Sequence, residues 1–249
     1  MGRGLWQTHA VISGSRCRKL PASLTRPSLA LGVLGMPGVT AYTGMKNIGR
    51  PQPGETVVVA AASGAVGAVV GQLARIQGCR VVGIAGTAEK CNYVVQELGF
   101  DVCLNHRDPD LAAQLKNACP QGVDVYFENV GGAVFDAVFP LLNNFARIPV
   151  CGLISFYNAT ELPAGPDRTP LMFRAALTKR LTIRGFIVWD FADQEAEALE
   201  ALGGWIDEGK LKFQEHVIEG LEQAPQGLID LLNGKNFGKV VVRISPEAK

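Results

Sequence analysis

The chain has no surplus charge of either sign: 24 lysines and arginines stand against 23 aspartates and glutamates, a net charge of +1 over 249 residues. Such a balance creates no field that would steer the molecule onto nucleic acid or an anionic membrane, so neither is expected as a partner. Long apolar runs are also missing. None approaches the roughly 18 residues that suggest a membrane-spanning helix, and no apolar stretch follows the first basic residues as it would in a secretory signal. The expected location is therefore the cytoplasm. Metal-ligand spacing is absent as well. The six cysteines, at 17, 79, 91, 103, 119 and 151, form no CxxC pair and have no histidine at ligand spacing, so no metal site is expected. A disulfide framework is not expected in a chain of this size without a signal segment. Cys79 and Cys103 lie in or beside predicted strands, where free cysteine behaves as a small buried hydrophobe. There is no internal repeat and no low-complexity tract.

What is present is enough length for a sizeable core and 47% hydrophobic residues. From about residue 55, short β-branched runs alternate with longer stretches of helical period. The runs are 56–61 (TVVVAA), 80–85 (RVVGIA), 102–104, 123–127 (VDVYF) and 147–151 (RIPVC), with a sixth at 181–188 (LTIRGFIV). Between them, 65–77, 88–98, 110–118 and 133–142 are each long enough for a helix, and a loop rich in proline and glycine occupies 159–170. Strict strand–helix alternation predicts an α/β fold: a doubly wound parallel sheet of the Rossmann type, with right-handed crossovers. The ends differ. Residues 1–35 show no clean alternation, and after a long polar helix (191–208) two further strands, 212–218 and 239–244, flank one helix. These end segments cannot join the parallel sheet without crossing connections, and they are assigned to a second, smaller domain. The predicted division is 38–209 for the dinucleotide domain, with 1–37 and 210–249 forming the other.

The most informative stretch begins at Thr56. A buried strand runs into Ala62-x-Gly64-x-x-Gly67, a GxGxxG fingerprint with alanine at its first position, followed by a helix. Gly64 lets the backbone approach a pyrophosphate, Gly67 permits close strand–helix packing, and the helix N-terminus offers unpaired amides to phosphate. The context of strand before and helix after makes the motif specific. An NAD site carries an acidic residue at the tip of the second strand. Here that tip reads Ile84-Ala85-Gly86-Thr87, with no carboxylate, and Lys90 follows in the first helical turn. The absent acid and the present base favour NADPH. Topology also brings the ends of later strands to the crevice: Asn129 with Gly131 and Gly132, the Cys151–Ser155 stretch, and Phe186 to Val188.

These motifs, with MPGVTAYTG at 36–44, FENVGG at 127–132, RIPVCGLISFYN at 147–158 and GKNFGKVVV at 234–242, resemble the zinc-independent medium-chain reductases of the curcumin reductase and leukotriene hydroxydehydrogenase/prostaglandin reductase group. The resemblance implies NADPH-dependent reduction of the carbon–carbon double bond of α,β-unsaturated ketones or aldehydes. The alternatives are a quinone reductase of a sister family and a non-catalytic NADPH-binding protein. Carried onto this chain, it implies that Gly64, Ala65, Val66 and Gly67 hold the pyrophosphate. Lys90 would meet the 2′-phosphate, and His106 would lie near the adenosine where relatives carry tyrosine. Asn129, Cys151, Gly152, Leu153, Ile154, Ser155, Tyr157, Phe186, Ile187, Val188 and Asn236 would line the rest of the cofactor. Hydride delivered to the β-carbon of an enone builds charge on the carbonyl oxygen, and a donor aimed there lowers the barrier; Tyr157 is the implied catalytic donor. Tyr42 is either a cleft residue or a core residue. The family further implies a homodimer paired through edge strands, and a β-rich GroES-like catalytic domain of which both ends of this chain form a part. About 90 further residues precede the corresponding segment in such relatives, on the scale of a full second domain. Impaired turnover is the expectation for a chain without them, because an open cleft admits water.

Overall fold

A computed structural model describes residues 6–20, 24, 26–161 and 165–245. Residues 1–5 and 246–249, at the two ends assigned to the smaller domain, lie outside the described residues, as do 21–23, 25 and the 162–164 part of the predicted loop. The first long element is a helix that the alternation pattern did not reveal, α1 (Met36–Gly44), inside the MPGVTAYTG motif. It is followed by β1 (Thr56–Ala60), α2 (Gly67–Ile76), β2 (Arg80–Ala85), α3 (Ala88–Gln96), β3 (Val102–Asn105) and α4 (Leu111–Ala118). Next come β4 (Val123–Phe127), α5 (Gly132–Val138), β5 (Leu142–Val150), α6 (Thr169–Lys179), β6 (Thr182–Gly185) and α7 (Glu195–Asp207). The chain closes with β7 (Glu215–Glu219), α8 (Ala224–Leu232) and β8 (Lys239–Arg243).

The first six strands form one parallel sheet in the order β3-β2-β1-β4-β5-β6, the expected doubly wound topology. β1 lies in its interior and is buried on both faces. Val57 and Val59 pack into one hydrophobic cluster with α2 residues such as Val69 and Leu73, while Val58 and Ala60 pack into the other with Leu115 and Val134. Each of the three valines is fully buried, worth about 1.5–3 kcal/mol per side chain. The strand order reverses between β1 and β4, and that reversal opens a crevice at the carboxyl ends of the strands.

β7 and β8 form a separate two-stranded parallel sheet, with α8 between them in sequence. Glu215 on β7 accepts hydrogen bonds from Arg26 (2.6 Å) and Ser28 (3.0 Å), so the two ends of the chain meet. Three details depart from the sequence expectations. The sixth strand stops at Gly185, because Phe186 turns its ring inward against Phe127 and Phe191. The predicted helix at 191–208 is a 3-10 segment (Val188–Gln194) followed by α7, broken where buried Phe191 takes a non-helical conformation. The fifth strand starts earlier, at Leu142, with irregular pairing that accommodates a positive φ of 63° at Phe145.

Gly71 illustrates how tightly α2 lies on the sheet. A Cβ at this position would fall 1.8 Å from Cζ of the Phe100 ring, which is itself 2% exposed. Gly71→Ala, although it raises helix propensity, should therefore lower unfolding stability by about 1–3 kcal/mol through overpacking. Urea denaturation measures this, and an unchanged midpoint would show that Phe100 relocates without cost.

Candidate functional site

The fingerprint turn is shaped by sterics. Ala61 takes a left-handed φ of 52°, and its carbonyl accepts the Gly64 amide at 2.9 Å. A Cβ on Gly67 would sit 2.3 Å from that same carbonyl oxygen, so glycine alone fits at the first residue of α2. Ala62, in place of the first fingerprint glycine, directs its methyl into space left by Gly83 on β2, where a second Cβ would lie 2.8 Å away. The first backbone bond entering α2 runs from the Ala68 amide to the Gly64 carbonyl at 3.0 Å. The amides of Ala65, Val66 and Gly67 therefore precede the intrahelical ladder and remain available to an anion. The amide of Gly64 is committed to the turn, which narrows the donor set expected from sequence to the three residues after it.

A second corner forms at the tip of β2. Thr87 caps α3 by accepting the Lys90 amide (3.2 Å), which fixes the first turn that carries the Lys90 side chain. The Lys90 ammonium donates to the Gly234 carbonyl at 2.6 Å, and Tyr93 packs edge-on against Phe237 at 4.9 Å. The loop carrying Asn236 is thus docked on α3, although about 145 residues separate them in sequence. Lys90 spends one donor on this contact, and an ammonium has two more. Burial and the neighbouring Arg107 guanidinium hold Lys90 below the ordinary lysine value. His106 lies over Gly86, with Nε2 3.1 Å from where a Cβ would be. Desolvation and the charges of Arg107 and Lys90 hold its imidazole below the usual histidine value. Lys90, His106 and Arg107 together make an electropositive corner, with Glu89 as a nearby carboxylate. Sequence reasoning missed Arg107, and its signal was a second basic residue directly after the predicted third strand.

At the switch point, Asn129 donates its side-chain amide to the Ala60 carbonyl (2.8 Å), bridging the tips of β4 and β1. Its first role is to close the sheet, and one amide hydrogen is left over from that contact. Glu128 was not singled out from sequence, yet it organises this loop. Its side chain is buried and accepts the amides of Val130 (2.6 Å) and Gly131 (2.9 Å) and the Tyr126 hydroxyl (2.9 Å). Burial and the Glu128 carboxylate push the Tyr126 phenol well above its ordinary value. The Cys151–Ser155 stretch is pinned onto the loop by Ile154 to the Asn129 carbonyl and Ser155 to the Val130 carbonyl, both 3.1 Å. Tyr157 is 62% exposed and folds its hydroxyl back to within 3.2 Å of where a Cβ on Gly152 would be. Its exposed ring therefore stands at the β5 end of the crevice.

Three of the residues singled out from sequence have partners within the protein. The Phe186 side chain is buried among aromatic rings, while Ile187 beside it is 60% exposed and Val188 half-buried. The Asn236 amide donates to the Gly238 carbonyl (2.8 Å), shaping its own loop. Tyr42 is half-buried at the margin of the core: its hydroxyl donates to Glu197 (2.6 Å), its ring packs on Trp205, and burial with Glu197 raises its pKa to about 12.

A doubly wound sheet with a fingerprint turn of this geometry defines a dinucleotide-binding protein of the dehydrogenase class. Residues 65–203 match the family described as zinc-binding dehydrogenase. The chain is 55% identical to the NADPH-dependent curcumin reductase of Escherichia coli K12 over 246 residues, covering 98% of this chain and 71% of that protein. It is 41% identical to the NADP(+)-dependent 2-alkenal reductase of Nicotiana tabacum, covering 97% of this chain and 70% of that one. It superposes on the crystal structure of Vibrio vulnificus CurA in complex with NADPH with a TM-score of 0.93 at 52% identity, over 97% of this chain and 72% of that chain. The chain belongs to the medium-chain dehydrogenase/reductase family, in the branch of the curcumin reductases. Among the described residues, no group of three or more His, Cys, Asp or Glu is arranged to hold a metal ion, and no helix is long and apolar enough to cross a membrane.

Lys90→Ala removes a charge-assisted partner worth about 1.5–3 kcal/mol. NADPH affinity should fall by about one to two orders of magnitude while NADH affinity changes little. Fluorescence titration of both nucleotides checks this, and equal losses would remove Lys90 from 2′-phosphate recognition.

Proposed function

We propose that this protein is an NADPH-dependent reductase of the carbon–carbon double bond of α,β-unsaturated ketones and aldehydes. The single observation that carries the proposal is 55% identity, over 98% of the chain, to a protein named NADPH-dependent curcumin reductase. Two features of this chain's own residues support it. The Ala65–Gly67 amides at the start of α2 suit a diphosphate, and the β2 tip offers Lys90 and Arg107 in place of a carboxylate, which suits a 2′-phosphate. When bound, NADPH supplies the hydride. The remaining chemistry belongs to the protein.

Tyr157 is assigned as the hydroxyl donor to the substrate carbonyl oxygen, where negative charge grows as the double bond is reduced. Its hydroxyl is held near the Gly152 backbone, at the crevice rather than in the core. Asn129, Leu153, Ser155, Ile187 and Asn236 are assigned to the walls that hold the cofactor. The reaction is assigned as zinc-independent, because the scattered cysteines and the three histidines offer no donor set. The division into a dinucleotide domain at 38–209, with 1–37 and 210–249 belonging to a second domain, is part of the same proposal. So is the homodimer. β6 is the edge of the sheet, its residues are exposed along their whole length, and Leu171, Phe173 and Leu177 of the preceding helix are 62%, 65% and 78% exposed. An unpaired edge beside apolar side chains is a template for pairing with a second copy.

Following NADPH absorbance with a panel of simple enones, enals and quinones tests the activity. Consumption with enones and enals supports the assignment, and turnover of quinones alone would replace it. Tyr157→Phe should lower kcat by about 10²–10³, the usual cost of removing one oxyanion donor, with NADPH affinity unchanged. Full activity in that variant would exclude Tyr157 from the chemistry. Sedimentation velocity should show a dimer that Ile183→Lys converts to monomer, and a monomeric parent protein would refute the edge-strand pairing.

A further inference from the structure

A second group of cations lies at the other end of the strands, away from the crevice. The starts of β5 and β6 and the loop leading into β1 surround an open cavity of about 420 Å³ there. It is lined by Arg50, Gln52, Phe145, Arg147, Arg180 and Thr182, and its volume falls in the ordinary range of small-molecule sites. Among the described residues, four that are not glycine have a left-handed φ. One is Ala61 of the fingerprint turn. The other three, Arg50 (41°), Phe145 (63°) and Arg180 (50°), all line this cavity. Arg50 and Arg180 each end a helical segment, where glycine or asparagine is the usual left-handed residue. Backbone strain of this kind persists only where the surroundings hold it, and it gathers at functional sites.

We propose that this cavity is a binding site for the phosphate monoester of a small, partly apolar molecule. Arg147 is the fixed member of the set. Its guanidinium donates to the carbonyls of Gly49 (2.9 Å) and Arg50 (3.2 Å) and to both carboxylate oxygens of Glu55 (2.9 Å to Oε1). These bonds hold the loop before β1 against β5. The Arg180 guanidinium stacks over the Phe145 ring, 4.5 Å from its centroid, and donates from Nη1 to the Thr178 carbonyl. A guanidinium has five N–H donors, so Arg180 keeps most of its own for a ligand. The Arg50 guanidinium has no hydrogen-bond or ion-pair partner among the described residues.

Charge and size define the ligand. Three guanidiniums line the cavity and no carboxylate does, while Glu55, bonded to Arg147, cancels one charge and leaves two. A phosphate monoester carries a charge of about −1.5 to −2 at neutral pH, and guanidiniums meet its oxygens in bidentate pairs. Phosphate alone would leave most of the volume empty, and the Phe145 ring, 61% exposed, offers an apolar surface to the remainder of the ligand. Anchored Arg147 and stacked Arg180 have little side-chain freedom left to lose on binding. The cavity shares no residue with the proposed cofactor crevice, and only Thr182 with the strand proposed to pair with a second copy.

The test uses the whole protein with phenyl phosphate as the probe. Phenylglyoxal modifies accessible arginines, and peptide mapping follows each of them separately. Phenyl phosphate at about ten times its calorimetric dissociation constant should slow modification of Arg50 and Arg180 by about tenfold and leave exposed Arg16 unprotected. Phenyl sulfate, a monoanion of the same shape, should protect only at concentrations about tenfold higher or more, because it lacks the second charge. Arg50→Asn and Arg180→Asn keep a residue that tolerates the left-handed backbone. Each should weaken calorimetric binding by about tenfold to a hundredfold. Protection is read on the parent protein and stands independently of the folding of either variant. Unprotected Arg50 and Arg180 would overturn the proposal. So would protection confined to Arg107, which would put the anion at the Lys90 corner instead. Equal protection by phenyl sulfate would overturn the assignment to a phosphate monoester.

Discussion

The approach of α2 to the end of β1 is the constraint on which the candidate site depends. With 2.3 Å between the Ala61 carbonyl and the place of a Cβ on Gly67, the helix can start there only without a side chain. The same carbonyl is turned by the left-handed conformation of Ala61, a strained state of order 1–3 kcal/mol for a residue outside such turns, and it is stabilised by the Gly64 amide it accepts. The turn consumes one amide and presents the next three together at a helix N-terminus, where the peptide dipoles favour negative charge. A longer or looser turn would separate those donors, and no surface residue could restore them.

Around this turn the molecule uses buried polar groups to join strand tips. Asn129 ties β4 to β1, Glu128 gathers two amides and a tyrosine hydroxyl, and the β5 loop is hung on the same backbone by the amides of Cys151, Gly152, Ile154 and Ser155. A crevice between parallel strands has open carboxyl ends, and leaving their backbone groups unpaired when buried would cost about 1–3 kcal/mol each. Satisfying those groups internally makes the rim rigid. It also explains why residues predicted as cofactor ligands turn out to have structural partners. Asn129, Lys90 and Asn236 each donate to a carbonyl of the protein. A rim residue that is already anchored loses little conformational entropy on binding.

The β2 corner shows how electrostatics follows from what is omitted. At this corner burial and the Arg107 charge lower the proton affinity of Lys90, partly offset by Glu89, and burial with the charges of Arg107 and Lys90 lowers that of His106. Such a group of donors is unfavourable alone and is relieved by an anion, as a site for a phosphate monoester should be.

By itself, the sequence determined the period of the strands, the place of the fingerprint, the missing acid at the second tip and the separation of the two ends from the parallel sheet. These are local properties, carried by β-branched runs, by glycine spacing and by residues within one βα unit. It left α1 unseen, because MPGVTAYTG lacks the apolar stripe that marks an amphipathic helix. Nor did it show that Phe186 turns its ring into the core, because strand order alone cannot say when a chain leaves its sheet. Tertiary structure decided which groups were already spoken for: the Gly64 amide, the Lys90 ammonium, the Asn129 amide and the Tyr42 hydroxyl. It also brought Lys90 to the Gly234 carbonyl and Tyr93 to Phe237. The physical reason is that hydrogen-bond satisfaction and side-chain contact are pairwise properties of residues distant in the chain. They exist only once packing has fixed which atoms face each other.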